Sequence, residues 1–327
     1  MGISGKKTSW ANEETSMPDN PLIAPVGRFA PSPTGALHTG SVVAAVGSWL
    51  LAKSAGGRWL LRVDDLDTPR QAPGMVDDIL RTLEFFGLLW DGEIAWQSRH
   101  NEAYCEAFEK VQKLGLVYPC GCSRKEIALS ASAPHPDEDC IPYPGTCSNG
   151  LREGAAVRSW RVRVADEEIC FEDLRHGRVC QRLASSCGDF GLRRGDGVFA
   201  YQLAVVVDDH LTGVTQVVRG DDLLPSTPRQ IYLQRLLGLT QPDYCHLPLV
   251  TAPGGGKLSK RDNLVSLDRE NVKGKEADLL LRVLRFLGQH PPRYLVGASC
   301  GEILEWGVRY FDATSIPLSG SDGFLTI

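Results

Sequence analysis

The chain predicts an α/β protein: a parallel, doubly wound sheet of the nucleotide-binding kind, with one cysteine-bearing insertion and a short helical stub. Three observations carry that expectation. An apolar run over Leu22–Phe29 leads into a helical stripe at Val42, Val43, Val46, Trp49 and Leu50, which Gly56-Gly57 stops. Arg58-Trp-Leu-Leu-Arg-Val-Asp64 then reads as a second strand, and a strand–helix–strand unit this short calls for a parallel pair. At Val117 the texture changes: Pro, Cys and Gly cluster through Asn149 before sheet-like apolar runs resume at Val198.

Taken in order, residues 1–21 are polar, mixed in charge and aperiodic, the texture of a disordered tail. Residues 22–116 form the first half of the sheet domain, with helices expected at His38–Ser54, Met75–Phe86 and Asn101–Leu114. Residues 117–195 read as an insertion with its own small core, holding strand pieces such as Ser159–Val164. Residues 196–270 resume the sheet, with strands at Val198–Val207, Val214–Arg219 and His246–Val250 and a helix over Thr227–Leu237. Residues 271–327 hold one amphipathic helix, Ala277–Leu287, and little else that the pattern resolves.

Composition is that of an ordinary enzyme. With 327 residues, 43% hydrophobic and 23% charged, the chain can bury one large core plus a smaller unit. No run approaches the ~20 apolar residues of a membrane helix. The N-terminus lacks the order of a secretory signal, so a cytoplasmic protein, monomeric and without membrane contact, is expected. Ten cysteines scattered irregularly fit reduced thiols with one metal site better than a disulfide framework. A net charge of −5 offers no global attraction to nucleic acid, so any RNA contact rests on a local basic surface. Arginines at 158, 161, 163, 178, 182, 193 and 194 are candidates for it, with solvated charge as the default reading.

Two stretches carry the chemistry. In Arg28-Phe-Ala-Pro-Ser-Pro-Thr-Gly-Ala-Leu-His-Thr-Gly-Ser41, prolines stiffen the approach to a helix and glycines let the backbone come close to a ligand. The helix start adds unpaired N–H groups and partial positive charge, which suit a polyphosphate, with His38 as a further donor. Lys257-Leu-Ser-Lys-Arg261, preceded by Gly254-Gly-Gly256, suits a loop closing over leaving pyrophosphate. A third group, Cys120-Gly-Cys122 with Tyr143 and Cys147, has the soft donors of a tetrahedral zinc site. By spacing alone Cys140 and His135 compete with Tyr143 for the fourth position. Asp64-Asp65-Leu-Asp67 and Asp208-Asp209-His210 fit metal or ribose contacts and solvated strand ends about equally. The cysteines at 105, 170, 180, 187, 245 and 300 have no spacing that argues chemistry.

The set of motifs, in register over about residues 22–290, resembles the catalytic core of class I glutamyl-tRNA synthetases and, more closely, their shortened glutamyl-Q tRNA(Asp) relatives. Besides the two stretches above, it includes Leu-Arg-Val-Asp-Asp-Leu-Asp-Thr-Pro-Arg70, Tyr201-Gln-Leu-Ala-Val-Val-Val-Asp-Asp209 and Val218-Arg-Gly-Asp-Asp-Leu-Leu224. The resemblance implies a class I synthetase-type Rossmann fold, with an acceptor-type zinc insertion at 117–195, a KMSKS-type loop within 196–270, and no anticodon-binding domain in 271–327. It implies that His38, Lys257 and Lys260 are catalytic and that His38, Gly40, Ser41 and Lys260 meet ATP. Arg28, Phe29, Ala30, Pro31, Ser32, Asp64, Tyr201 and Arg219 would form the glutamate pocket, and Cys120, Cys122, Tyr143 and Cys147 would hold one structural Zn2+. A dicarboxylic amino acid needs a cation for each carboxylate, which Arg28 and Arg219 can supply, and an acid for its ammonium, which Asp64 can supply. Family members often carry glutamate where Asp64 stands, so that contact is one methylene shorter or bridged by water.

The expected activity is ATP- and Mg2+-dependent activation of L-glutamate without RNA, then transfer to the queuosine base at the wobble position of tRNA(Asp). The alternatives are a glutamyl-tRNA synthetase core charging the 3′ end of tRNA(Glu), and a catalytically silent tRNA-binding zinc module. Truncation before any anticodon-reading module favours the first expectation, and intact His38, Lys257 and Lys260 disfavour the last.

Overall fold

The computed structural model describes residues 24–123, 125–127, 142–250 and 273–319. The lysine loop at 251–272, with Lys257 and Lys260, lies outside the described residues, as do His135 and Cys140. Strand β1 (Val26–Phe29) pairs in parallel with β2 (Arg58–Val63), from Val26 opposite Arg58 to Phe29 opposite Leu61. Strand β2 pairs in parallel with the short β3 (Ala95–Trp96). On the other flank of β1 lies β9 (Gln216–Gly220): the Thr215 N–H donates to the Val26 carbonyl at 2.9 Å, and the Val26 N–H donates to Thr215 Oγ1 at 2.9 Å. Strand β10 (Asp243–Leu247) runs parallel to β9 and touches β6 (Glu168–Asp173) through Tyr244 and Asp173. The order β3-β2-β1-β9-β10-β6 therefore reverses direction between β1 and β9. Doubly wound sheets open their ligand crevice beyond the carboxyl ends of strands at such a reversal.

Helix α1 (Thr39–Ser54) returns from β1 across the sheet and packs on β1, β9 and β2. Val42, Val46 and Leu50 are fully buried, joining Trp59, Leu61, Leu280, Leu284 and Ile303 in the first core. Helices α2 (Met75–Phe85) and α3 (Asn101–Lys113) follow as expected. The close of the chain contributes to the same core. Helix α7 (Glu276–Phe286) is joined by α8 (Cys300–Tyr310), which the sequence pattern left unassigned. Helix α8 starts at a capping box, the Ser299 hydroxyl on the Glu302 N–H and the Glu302 carboxylate on Ser299. It crosses α1 so closely that a Cβ on Gly307 would come within 2.8 Å of Leu50.

Residues 117–195 keep a small core of their own around Tyr118, Cys120, Tyr143 and Cys147, and share the rest of their apolar side chains with the sheet domain. Strands β4 (Val117–Cys120), β5 (Ser159–Val162) and β8 (Phe190–Arg194) form a separate antiparallel sheet. Strand β6 and its hairpin partner β7 (Gly177–Arg182) instead extend the parallel sheet. Between β7 and β8 sits the single turn α4 (Leu183–Ser186). Val162, Phe171 and Leu192 share a second core with Tyr104, Leu203 and Ile231.

Three expectations are corrected. Val198–Val207 is no strand: residues Tyr201–Leu211 form helix α5, whose middle is buried all round from Leu203 to Asp209. A helix without a polar face has no amphipathic signature, and a short apolar run reads alike in either conformation. The cysteines are not all reduced: Cys170 and Cys180 form a disulfide, being directly opposed across the β6–β7 ladder. The seven candidate arginines are not uniformly solvated, since Arg161 lies over the Tyr143 ring, Arg163 over Tyr118, and Arg193 over Phe199. Helix α6 (Thr227–Leu237) matches its expected span and ends on Gly238 in the left-handed region. Among the described residues no helix is long and apolar enough to cross a membrane.

The β1–β2 register begins at Gly57, where the Arg58 N–H meets the Pro25 carbonyl. A Cβ on Gly57 would lie 2.2 Å from that carbonyl oxygen and 2.9 Å from the Ala52 carbonyl, both backbone atoms. Gly57→Ala should therefore destabilise the fold by about 2 kcal/mol, the cost of overpacking against groups that cannot swing away. A urea midpoint unchanged from wild type would refute this.

Candidate active site and metal centre

The reversal crevice is bounded by β1, β9 and the start of α1. His38 caps α1: its Nδ1 accepts the Ser41 N–H at 3.1 Å. A neutral ring held this way carries its proton on Nε2, as a donor. Gly40 eases the fold-back, because a Cβ there would press to 3.1 Å on the imidazole Cε1 and Nδ1. The segment ahead is tied to β2, since the Asp64 N–H donates to the Pro31 carbonyl at 3.0 Å. Pro31 is buried, Ala30 half-buried and Ser32 exposed, while Phe29 stacks on Trp59 within the core.

Beneath this segment lies a buried charge cluster. Arg62 Nε meets Asp64 Oδ1 at 2.7 Å, and its Nη1 meets Asp209 Oδ1 at 2.6 Å. Arg28 shares the same Asp209 oxygen at 3.3 Å and also donates to the Val218 carbonyl at 3.2 Å. Asp208 accepts hydrogen bonds from Gln97 (2.7 Å) and the Tyr104 hydroxyl (2.6 Å) and meets His100 Nδ1 at 2.8 Å. The aspartates at 208 and 209 are thus not solvated strand ends but buried acids at the end of α5. Burial opposes ionisation of both Asp209 and Asp64, yet the outcomes differ. Arg28 and Arg62 together hold Asp209 below the usual carboxylate range. Asp64, with Arg62 alone and two acids nearby, is pushed up to about 6. Its Oδ2 accepts no hydrogen bond among the described residues.

Arg219, on β9 one residue beyond the Val218 carbonyl, has the opposite surroundings. Its guanidinium donates to His246 Nε2 (3.1 Å), Gln230 Oε1 (2.8 Å), Thr227 Oγ1 (2.7 Å) and the Tyr201 hydroxyl (3.5 Å). All four acceptors are neutral, and among the described residues no carboxylate lies within ion-pairing distance of it. His246 is fully buried, its Nδ1 at 2.7 Å from Asp173 Oδ2. Burial keeps the His246 imidazolium below its ordinary value, so the ring is neutral. Asp173 stays ionised despite burial because His246 and the backbone N–H groups of His176 and Arg175 hydrogen-bond it.

Arg28 thus reaches the backbone one residue before Arg219, but the two guanidiniums are not equivalent. Arg28 arrives with Asp209 as its counter-charge and two of its nitrogens engaged, leaving Nη2 for a ligand. Arg219 is a buried cation awaiting an anion. Tyr201, at the start of α5, is the most exposed member of the group, at 40%. The sequence reading gave no role to Arg62, Asp173, His246, Thr227 and Gln230, and it named Asp208 and Asp209 only as metal or ribose contacts or solvated strand ends. For the aspartate pair, reading Tyr201–Leu211 as a helix would have placed both acids in a buried last turn. The others are brought in from separate elements and left no local signal.

The candidate metal centre is compact. Sγ atoms of Cys120, Cys122 and Cys147 lie within 4.8 Å of one another. The Tyr143 hydroxyl is 3.3 Å from Cys120 Sγ and 3.7 Å from Cys122 Sγ, and it accepts the Cys147 N–H at 2.9 Å. Burial opposes the Cys120 thiolate, but the Tyr143 hydroxyl and Arg161 outweigh it and bring the thiol down to about 7. Burial raises the Tyr143 phenol. The loop carrying Tyr143 is pinned where its N–H donates to the Cys187 carbonyl. Gly188, with φ of +63°, passes so close that a Cβ would lie 2.4 Å from the Tyr143 carbonyl oxygen. Three sulfurs and one oxygen at such separations fit a tetrahedral soft-ligand metal ion.

Residues 26–294 match the catalytic domain of the class I tRNA synthetases for E and Q. The glutamyl-Q tRNA(Asp) synthetase of Geobacter sulfurreducens is 56% identical over 306 residues, covering 93% of this chain and 98% of that protein. That of Dechloromonas aromatica is 52% identical over 293 residues, covering 89% and 95%. A crystal structure of a glutamate tRNA ligase from Elizabethkingia meningosepticum in complex with its amino acid superposes with a TM-score of 0.75 at 26% identity. That match covers 91% of this chain and 67% of that one. With the fold, the capped α1 and the motif set all in agreement, the chain belongs to the class I glutamyl and glutaminyl tRNA synthetase family, among its glutamyl-Q tRNA(Asp) synthetase members.

Proposed function

We propose that the protein activates L-glutamate with ATP to glutamyl adenylate and transfers the glutamyl group to the queuosine base at the wobble position of tRNA(Asp). The observation that carries this reading is Arg219, a buried guanidinium surrounded by neutral acceptors on β9, the strand next to β1. Burying a cation is costly unless an anion compensates it, so a substrate carboxylate is the natural partner. Arg28 adds a second contact through Nη2, and Asp64 takes the α-ammonium. Phe29, Ala30, Pro31 and Ser32 shape the wall, and Tyr201 closes the side toward solvent.

In this reading the α-carboxylate of glutamate attacks the α-phosphorus of ATP, and the bond to pyrophosphate breaks. His38, Gly40 and Ser41 offer donors at the helix start, and the lysines at 257 and 260, on the motif alone, neutralise the departing charge. Mg2+ bound with ATP would supply further charge neutralisation. A hydroxyl of the modified base then attacks the mixed anhydride, and AMP leaves. Residues 117–195 form the acceptor-type insertion between catalytic halves at 22–116 and 196–270. Cys120, Cys122, Cys147 and Tyr143 hold one structural zinc ion, all four positions being protein ligands. We read the protein as a cytoplasmic monomer: the three sulfurs of the proposed centre are free thiols, although Cys170 and Cys180 are paired, and both substrate sites draw on one chain.

Glutamate-dependent exchange of pyrophosphate into ATP should proceed without any RNA, and labelled glutamate should then reach tRNA(Asp) only when queuosine is present. Exchange no faster than background without tRNA, or label on the 3′ end of tRNA(Glu), would favour the synthetase-core alternative. Protein purified without chelator should carry one zinc per chain by elemental analysis, and Cys122→Ser should lose it; a metal-free wild type would refute the centre. Because the Asp64 carboxyl protonates at about 6, its ionised fraction falls about tenfold per pH unit below that value. The KM for glutamate should rise accordingly as pH drops through 6, and Asp64→Asn should raise it at pH 7.5 and flatten the profile. An unaltered profile in that variant would remove Asp64 from the pocket.

A further inference from the structure

We propose that Asp173 and His246 are positioning residues for glutamate recognition: the Asp173 carboxylate holds the His246 imidazole as its Nδ1–H tautomer, so that Nε2 orients the Arg219 guanidinium. This rests on the reading of Arg219 as the ligand of a substrate carboxylate.

The chain of contacts joins three neighbouring strands. Asp173 ends β6, His246 lies in β10 and Arg219 in β9, with exposures of 2%, 0% and 5%. An arginine Nε–H can only donate. At 3.1 Å from it, His246 Nε2 must therefore accept. The ring proton then sits on Nδ1 and points to Asp173 Oδ2 at 2.7 Å. The Thr227 hydroxyl, which accepts from Arg219 Nη2 at 2.7 Å, lies 3.0 Å from the same Nε2 and can donate to it. Both donors depend on one lone pair. The carboxylate has no freedom to turn, because Oδ1 already accepts the backbone N–H groups of Arg175 and His176 at 3.0 Å each. The imidazole is also a spacer. It lets a carboxylate fix the arginine without neutralising it, so the positive charge is kept for the substrate. The depressed His246 imidazolium is consistent with this neutral role.

The test is Asp173→Asn. The backbone donors keep Oδ1 in place, so the new amide faces Nδ1 and forces the proton onto Nε2. There it opposes the Arg219 and Thr227 donors, a tautomer error of the kind that disables other histidine–aspartate pairs. In RNA-free pyrophosphate exchange the KM for glutamate should rise about tenfold, while kcat and the KM for ATP stay within about twofold. Histidine-selective 15N NMR should show His246 as Nδ1–H in wild type and Nε2–H in the variant. In an Arg219→Ala background, itself raising the glutamate KM, Asp173→Asn should add nothing further. Arg219→Ala with an unchanged glutamate KM would overturn the pocket reading. If Arg219→Ala raises it while Asp173→Asn does not, or if the two effects add, the positioning role falls. Should Asp173→Asn fail to fold by circular dichroism, an Nε2–H signal for His246 in wild type would overturn the proposal alone.

Discussion

Everything in the crevice depends on how positive charge is buried at the junction of β1 and β9. Two guanidiniums enter from adjacent strands, and the fold treats them in opposite ways. Arg28 is neutralised by Asp209, which it shares with Arg62, so its charge belongs to the protein. Arg219 is satisfied only as a hydrogen-bond donor, by His246, Gln230, Thr227 and Tyr201. Hydrogen bonds to neutral groups meet the geometric needs of a guanidinium but leave its field intact. An anion entering there replaces water with a preorganised partner, which makes such an arrangement selective for a carboxylate over an amide.

The Arg28–Arg62–Asp209 cluster sets the distances within which that selectivity works. Arg62 binds three acids from β2 and α5, locking the start of the crevice wall to the buried helix. Buried ion pairs of this sort contribute little net stability, because desolvation offsets most of the attraction. Their value is geometric: removing one partner leaves an unpaired charge, so alternatives to the native arrangement are strongly disfavoured. Burial above all, with the neighbouring acids adding to it, raises Asp64 toward neutral pH. The candidate metal centre is a separate feature, set in the small core of Tyr118, Cys120, Tyr143 and Cys147.

Local signals in the chain were enough for the β1–α1–β2 unit and the helices α2, α3, α6 and α7, whereas spacing alone left the partner of the cysteines open and only the resemblance pointed to Tyr143. Each of those elements follows from periodicity or caps within a few residues. Gly40 is an instance: two residues after His38, it leaves room for the imidazole that folds back over it. The motif set was also specific enough to carry the family resemblance, which the comparisons bear out.

Other features were decided only when distant segments met. Helix α5 looked like a strand because its surroundings bury every side, and only tertiary context distinguishes such a run. The Cys170–Cys180 bond needed the β6–β7 register, which spacing alone does not reveal. Whether Arg28 or Arg219 keeps its charge for a ligand depends on Asp209 and His246, neither of which lies on the arginine's own strand. Composition and pattern thus determined which residue types the crevice contains, because those are written locally. Which of them remain electrostatically unsatisfied was settled by packing, because compensation is a property of pairs brought together from across the chain.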